Sequence, residues 1–211
     1  MNLLQKIERK LGKYAISNLI QIIVIGMGIV FVLTILFPLN ITDLLDFSKF
    51  DIMQGQVWRL FSFVFIPPNF SPIFIIFALY FYLLIGSSLE REWGKFKFNI
   101  FYFVGILGTI IAGMITGYAT NSYLNLSLFL AFAILYPNFE ILLFFVIPVK
   151  MKYLAFLDVL FFIYSLIIST WPGRIALIVS LLNIALFFGG DFIKRIKNMN
   201  RRAKWRRAIR G

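Results

Sequence analysis

Residues 71–97 read SPIFIIFALYFYLLIGSSLEREWGKFK, and this stretch decides the class of protein. The segment Ser71–Leu89 is almost wholly apolar, and Arg91, Lys95 and Lys97 follow it at once. An apolar run of about 20 residues is long enough to cross the hydrocarbon core of a bilayer as an α-helix. Basic residues concentrate at helix ends that remain in the cytoplasm. The stretch therefore predicts a membrane-spanning helix whose carboxyl end is cytoplasmic.

Five further apolar stretches accompany this helix: Ala15–Phe37, Phe98–Tyr118, Tyr123–Tyr136, Tyr153–Thr170 and Arg174–Ile193. The connections between the six stretches alternate in charge. All but three of the 21 Lys and Arg residues lie in the amino-terminal segment, the second and fourth connections and the tail. The exceptions are Lys49, Arg59 and Arg174. This alternation predicts six membrane-spanning helices with both termini in the cytoplasm.

The composition fits a membrane protein, since 61% of the residues are hydrophobic and 14% are charged. Soluble domains carry about 25% charged residues. Continuous apolar runs favour helices over barrel strands, which alternate over about 10 residues. We therefore expect an all-α membrane protein with three segments. These are a basic cytoplasmic amino terminus (1–14), a six-helix transmembrane domain (15–193) and a cytoplasmic polybasic tail (194–211).

The net charge of +12 comes mainly from the connections and the tail. A polybasic segment directly after a membrane helix binds anionic lipid headgroups. We therefore expect the bilayer, and no nucleic acid, to be the partner of the tail. The low charge and the 26 Phe residues are consistent with a bacterial plasma membrane.

The chain contains neither cysteine nor histidine. Their absence excludes disulfides, thiol nucleophiles, thiolate metal sites and every catalytic dyad or triad that uses histidine. We expect no metal and no cofactor. The sequence leaves the oligomeric state open.

The fourth apolar stretch is unusually short. Tyr123–Tyr136 ends at Pro137 and spans about 21 Å at 1.5 Å per residue, against about 30 Å for the hydrocarbon core. The polar segment Thr120–Asn125 precedes and enters it. Polar backbone at this depth is tolerated only inside protein or beside a wet cavity. We therefore expect a short central helix with an opening toward the outer face, lined by Asn121, Ser122 and Asn125.

The first external connection, roughly Pro38–Phe70, is the longest and should have structure of its own. Its dipeptide Trp58-Arg59 has two interpretations. Arg59 either bonds backbone carbonyls and holds the connection in place, or it snorkels beside an interfacial aromatic residue. The apolar piece Ile141–Pro148 is too short to cross the membrane, and we expect it to lie at the interface.

Polar residues inside the apolar stretches are candidates for function or packing. Asp158 in the fifth stretch is either functional or paired near the inner face with Lys152 or Tyr153. Asn183 in the sixth stretch is expected to form an interhelical hydrogen bond. A stripe of small residues on the third stretch favours close helix packing or dimerisation; it consists of Gly105, Gly108, Gly113 and Gly117.

Several motifs together resemble the rhomboid superfamily. They are Gly55–Phe63 with its Trp58-Arg59 pair, Gly86 at the end of a span, Glu90, Trp93-Gly94 with Phe96, Pro137-Asn138, and Ile147–Tyr153. The resemblance implies a rhomboid-like six-helix bundle with a structured first external loop. It also implies structural roles for Trp58, Arg59, Gly86, Glu90, Trp93 and Gly94. Glu90 or Glu92 is expected either to accept from backbone amides at the start of the third helix or to be a solvated loop charge.

The departures from this family bear on activity. Active rhomboids use the serine of a G-x-S-G motif in span four and a histidine in span six. The spacing from Pro137 leads to Ser122, whose neighbours are Asn121 and Tyr123 instead of glycines. The family's oxyanion-stabilising positions fall near Phe74 and Ala78, which have no suitable donor. The chain thus looks like a catalytically inactive rhomboid, similar to the Derlin branch.

The resemblance implies a protein that binds transmembrane segments of client proteins near spans two and five. Its role would lie in membrane-protein quality control, trafficking or assembly. Two alternatives remain: a small transporter or channel that uses Asp158, and a residual intramembrane serine peptidase that uses Ser122.

Overall fold

The fold is described from a computed structural model, which covers residues 8–37, 41–68, 71–143, 147–171, 173–175, 177–179, 181–183 and 185. Four helices in it are long and apolar enough to cross a membrane. They are α1 (Leu19–Leu36, the main part of an apolar helical segment Glu8–Leu36), α2 (Pro72–Trp93), α3 (Lys95–Thr116) and α5 (Met151–Ile168). Two shorter apolar helices are α4 (Ser122–Leu135) and α6 (Gly173–Asn183). The chain is a helical multi-pass membrane protein.

The helices α2 and α3 meet at a single residue, Gly94. Its φ of +81° lies in the region that favours glycine, so the chain can turn there without a loop. The sequence predicted that the second helix ends at Leu89 and that the third begins at Phe98, with a connecting loop between them. The prediction of this loop was wrong. Residues 90–93 and 95–97 are helical in the structure. Charged side chains continue a helix beyond the apolar part, so hydropathy locates the buried section better than the ends.

The other predicted bounds differ from the structure by a few residues. The first stretch was expected from Ala15, whereas α1 begins at Leu19 after Asn18, which has a φ of +57°. The fifth was expected at Tyr153–Thr170 and is found at Met151–Ile168. For the sixth, α6 is described only to Asn183, so most of the predicted remainder to Ile193 lies outside the described residues. The polybasic tail 194–211 also lies outside them.

Four short strands correct the expectation of an all-helical chain. Strand β1 (Phe47–Ser48) pairs antiparallel with β2 (Tyr118–Ala119), next to the end of α3. Strand β3 (Glu140–Leu143) pairs antiparallel with β4 (Ile147–Lys150). The segment predicted as an undefined interfacial piece is thus a hairpin that leads directly into α5. Strand pairing satisfies backbone groups of an apolar segment too short to span the membrane.

The long external connection folds into short helices, Ile41–Leu45, Lys49–Met53 and Arg59–Ser62, followed by a 3₁₀ turn at Phe63–Phe65. Phe47 anchors it in the bundle, because its side chain is fully buried and packs edge-on against Phe63 with ring centroids 5.8 Å apart. A Cβ on Gly113 of α3 would lie 2.6 Å from the Phe47 ring. This glycine therefore makes room for the anchor.

The packing places α2 and α4 in the middle of the bundle. Helix α2 packs against α1, α3 and α4, and α4 also packs against α3 and α5. Three glycines of the α3 stripe face neighbours in the same chain: Gly105 faces Leu124 and Asn183, Gly108 faces Val179, and Gly113 faces Phe47. The stripe thus has a packing role within one chain.

Candidate functional site

The guanidinium of Arg59 is the centre of the outer connection. Only 5% of this residue is exposed. Its Nη1 donates to both the carbonyl oxygen and the carboxylate of Asp46, and its Nε donates to Gln56 Oε1 at 2.7 Å. Its Nη2 lies 3.6 Å from a carboxylate oxygen of Asp51. The structure thus places Arg59 as the first interpretation describes, bonded inside the connection.

The neighbours of Arg59 fasten the same turn. Trp58 Nε1 donates to the Leu44 carbonyl at 3.0 Å, and Ser62 Oγ donates to the Leu45 carbonyl at 2.7 Å. Burial raises the pKa of Asp46 above its ordinary value, although the Arg59 charge acts in the opposite direction. Three consecutive carbonyls, at residues 44–46, therefore receive side-chain donors from the segment 58–62.

Asn121 joins the outer connection to the central helix α4. The residue is 4% exposed, and its Nδ2 donates to the carbonyls of Val64 at 3.1 Å and Ile66 at 2.7 Å. The sequence predicted that Asn121 and Ser122 lie together at the outer opening, but the two side chains point to different surroundings. Ser122 is exposed, and its hydroxyl lies 3.1 Å from that of Thr120.

Asn125 lies one helical turn beyond Ser122, inside the bundle. It is 6% exposed and shares a hydrogen bond with Tyr82 of α2. Its Nδ2 and the hydroxyl of the fully buried Tyr102 have no hydrogen-bond partner in the described part of the chain. The three residues predicted to line the opening thus differ in their surroundings. Asn121 is bonded to the outer connection, Ser122 is an exposed hydroxyl, and Asn125 is a buried amide.

The opposite end of the bundle carries Arg91, Lys95, Lys97, Lys150 and Lys152, and we refer to it as the basic end. There Glu90 accepts from the backbone amide of Asn18 at 2.7 Å. Glu90 therefore accepts from a backbone amide, as expected, but this amide is at the start of α1 and not at the start of α3. The tertiary fold brings the start of α1 to the end of α2, which local sequence does not reveal.

Three further contacts at this end of the bundle involve residues of the predicted motif and its surroundings. Gly86 allows close approach of α1, since a Cβ there would lie 2.3 Å from Ile20. Trp93 packs edge-on against Phe101, with ring centroids 5.3 Å apart. Tyr136, at the end of α4, donates to Glu92 at 3.2 Å and ties α4 to α2.

Asn99 is a site residue that sequence reasoning missed. It is 5% exposed, accepts from the Ile16 amide and donates to the Ile16 carbonyl, both at 2.9 Å. It thereby pairs with the segment before α1 as a strand would. The feature of the sequence that could have identified Asn99 is its position as a lone amide side chain within the apolar run Phe98–Tyr118.

The intramembrane polar residues Asp158 and Asn183 have different surroundings. Asn183 Nδ2 is 3.4 Å from the Phe101 carbonyl of α3, an interhelical contact of the expected kind. Asp158 Oδ2 is buried and has no hydrogen-bond partner among the described residues. The expected neighbours do not pair with it, since the Lys152 ammonium lies over the Tyr153 ring, 5.1 Å from its centroid.

A groove of about 230 Å³ opens between α2 and the β3–β4 hairpin. Its walls are mainly aromatic and aliphatic: Phe77, Tyr80, Phe81 and Leu84 of α2, and Phe139, Glu140, Ile141 and Leu142 on the hairpin side. Beyond the hairpin, α5 presents exposed apolar side chains such as Phe156 and Phe161. Within the described residues, no group of three or more Asp or Glu side chains is placed to hold a metal ion.

Comparison with known proteins adds two findings. The family model described as the rhomboid domain matches residues 54–189. Rhomboid-like protease 1 of Toxoplasma gondii is 40% identical over 72 residues, which are 34% of this chain and 23% of that protein. The match thus spans less than a quarter of the relative. No solved structure matches the chain.

Proposed function

The chain belongs to the rhomboid family, and we propose that it is a member without peptidase activity that binds the membrane-spanning segments of other proteins. The observation that carries this proposal is the aromatic groove between α2 and the β3–β4 hairpin. Its role would be in the quality control, trafficking or assembly of membrane proteins. We place it in a bacterial plasma membrane with both termini cytoplasmic, as the basic connections favour.

The chemistry around Ser122 supports the non-catalytic part of the proposal. A serine nucleophile needs a base within hydrogen-bond reach. The Ser122 hydroxyl lies beside the Thr120 hydroxyl, and neither group is a base at neutral pH. Histidine, the usual base, is absent from the whole sequence. The adjacent Asn121 amide donates to two carbonyls of the outer connection, so it is not directed at a reacting oxygen.

The groove supports the binding part. Helices associate in a bilayer through close van der Waals packing, so a partner helix needs a concave surface that admits its side chains. The α2 wall contributes to such a surface, because Phe77 and Phe81 stack with ring centroids 6.1 Å apart and line the groove together with Tyr80. The neighbouring α5 packs mainly against α4 and β4. A client helix would lie along α2 and contact the hairpin and α5.

Site-specific photo-crosslinking tests the proposal. A photo-reactive amino acid is placed in the full-length chain at Phe77 in the groove, at Phe161 on α5, and at Ile25 on the exposed face of α1 as the control. We expect discrete protein adducts from Phe77 and Phe161 and lipid adducts from Ile25. Identical adducts at all three positions, or lipid alone at Phe77, would contradict client binding.

The similarity to a rhomboid-like protease of Toxoplasma gondii makes peptidase activity the second candidate. A serine-directed activity probe applied to the wild type and to Ser122→Ala tests it directly. We expect no difference in labelling between the two proteins. Labelling of the wild type that disappears in Ser122→Ala would establish Ser122 as a nucleophile and refute the non-catalytic proposal.

A further inference from the structure

Asp158 is an acidic residue in the interior of a membrane-length helix. In the described helices α1 to α6 the other acidic residues, Glu90 and Glu92, lie in the last turn of α2 at the basic end. Asp158 lies on the side of α5 that also carries Leu154 and the buried Phe162. Its residue is half-buried, and its Oδ2 has no partner in the described part of the chain.

The basic residues at the two ends of α5 have contacts of their own. The ammonium of Lys152 lies over the Tyr153 ring at 5.1 Å. Arg174, beyond the far end of α5, donates to the Ile167 carbonyl at 3.0 Å and lies over the Trp171 ring. Lys150 is 3.6 Å from Glu140 in the hairpin. These three cations therefore have other partners.

An unpaired carboxyl inside a membrane is costly, and such groups normally pair with another side chain or face a wet cavity. A basic residue on a partner helix would supply the missing charge and hydrogen-bond donors. Asp158 lies six residues beyond Lys152, which corresponds to about 9 Å along the helix axis. This depth lies below the headgroups, so a lysine or arginine of a helix reaches it better than a lipid amine.

We propose that Asp158 selects clients whose membrane segment carries a lysine or arginine about 9 Å from the basic end of the bundle. This inference rests on the proposed function and names the class of client. The long flexible stem of lysine can reach a half-buried carboxyl from outside the α4–α5 contact. The exposed apolar residues Leu157 and Phe161, on the nearer side of the same helix, would pack against the rest of the client.

The test uses model single-span proteins captured by the full-length chain in membranes. One probe has a Leu/Ala segment, the second has one lysine about 9 Å from the end that faces the basic end, and the third has that lysine near the opposite end. We expect the wild type to capture the second probe about three- to tenfold better than the first and third, as for other interhelical polar contacts. Asp158→Asn, which keeps the size of the side chain, should remove this preference.

A charge exchange keeps the proposal falsifiable if Asp158→Asn folds poorly. Asp158→Lys should prefer a fourth probe with aspartate in place of the lysine. Equal capture of the first three probes by the wild type, or an unchanged preference in Asp158→Asn, would overturn the role of Asp158 alone. Capture of none of the probes by the wild type would count against both this inference and the proposed function.

Discussion

Arg59 holds three parts of the outer connection through one side chain. Its fork geometry lets it contact the Asp46 backbone and carboxylate, Gln56 and Asp51 at the same time. Lysine has a single ammonium and cannot reproduce this arrangement. The residue therefore fixes the shape of the connection from within, and its loss leaves several polar groups unpaired.

We expect Arg59→Ala to lower the free energy of unfolding by about 1–3 kcal/mol. This is less than for a fully buried ion pair, because the side chains of Asp46 and Asp51 are 36% and 29% exposed. Arg59→Lys should lose less, since it keeps the charge. Thermal unfolding of the purified protein in detergent measures both effects. Lys97→Ala, at an exposed position, serves as the control. A wild-type melting temperature for Arg59→Ala would refute the role of this residue.

Asn121 and Ser122 are neighbours, but substitutions at the two positions should affect the stability of the protein very differently. Asn121→Ala removes both donors to the Val64 and Ile66 carbonyls and should cost about 1–3 kcal/mol. Asn121→Asp should be worse, because an ionised carboxylate is an acceptor facing two other acceptors. Ser122→Ala should change stability by less than about 0.5 kcal/mol, as at other exposed positions. The melting temperature should be lowest for Asn121→Asp, higher for Asn121→Ala and highest for Ser122→Ala. The reverse order would mean that Ser122, and not Asn121, holds the outer connection.

At the scale of helices, close approach between α1 and α2 depends on one glycine. A Cβ at Gly86 would overlap the Ile20 side chain, at 2.3 Å from its nearest carbon atom. A Cβ at Gly28, on the same pair of helices, would lie 3.8 Å from Leu79, which is ordinary contact. The two positions form a matched pair with the same chemical change.

Gly86→Ala should destabilise the protein by about 1–3 kcal/mol through overpacking. Gly28→Ala should be neutral or stabilising, since alanine is the better helix former. Thermal unfolding of the two variants under identical detergent conditions gives the comparison. Equal melting temperatures would mean that α1 and α2 separate easily, and the close packing would then contribute little.

At the scale of the whole molecule, the predicted topology has six spans with both termini on one side. Because the chain contains no cysteine, single cysteines can be introduced without background. We expect Gln54→Cys to react with an impermeant maleimide in intact cells. Lys97→Cys and Ala208→Cys should react only after permeabilisation. Labelling of Ala208→Cys in intact cells would mean an odd number of spans.

Much of the candidate site was accessible from sequence, but its contacts were not. The motif around Trp58-Arg59 pointed to the outer connection, and the short polar entry pointed to α4. The partners of Arg59 and Asn121 could not be predicted from sequence. Asp46 lies in a bend and Asp51 in the short helix Lys49–Met53, and only the fold of the connection brings them to Arg59. Likewise, only the fold brings the Val64 and Ile66 carbonyls to Asn121. Asn99 was missed since one amide in an apolar run has no local partner.

The sequence by itself determined that the chain is a helical membrane protein, where its apolar helices lie and that a histidine-based site is excluded. These follow from local hydropathy, charge and composition, which need no knowledge of distant contacts. Only the tertiary structure decided the paired strands, the junction at Gly94, the Glu90–Asn18 contact and the groove beside α2. The β3–β4 hairpin joins neighbouring segments. The other features arise between segments distant in sequence or at helix ends, where packing outweighs local preference.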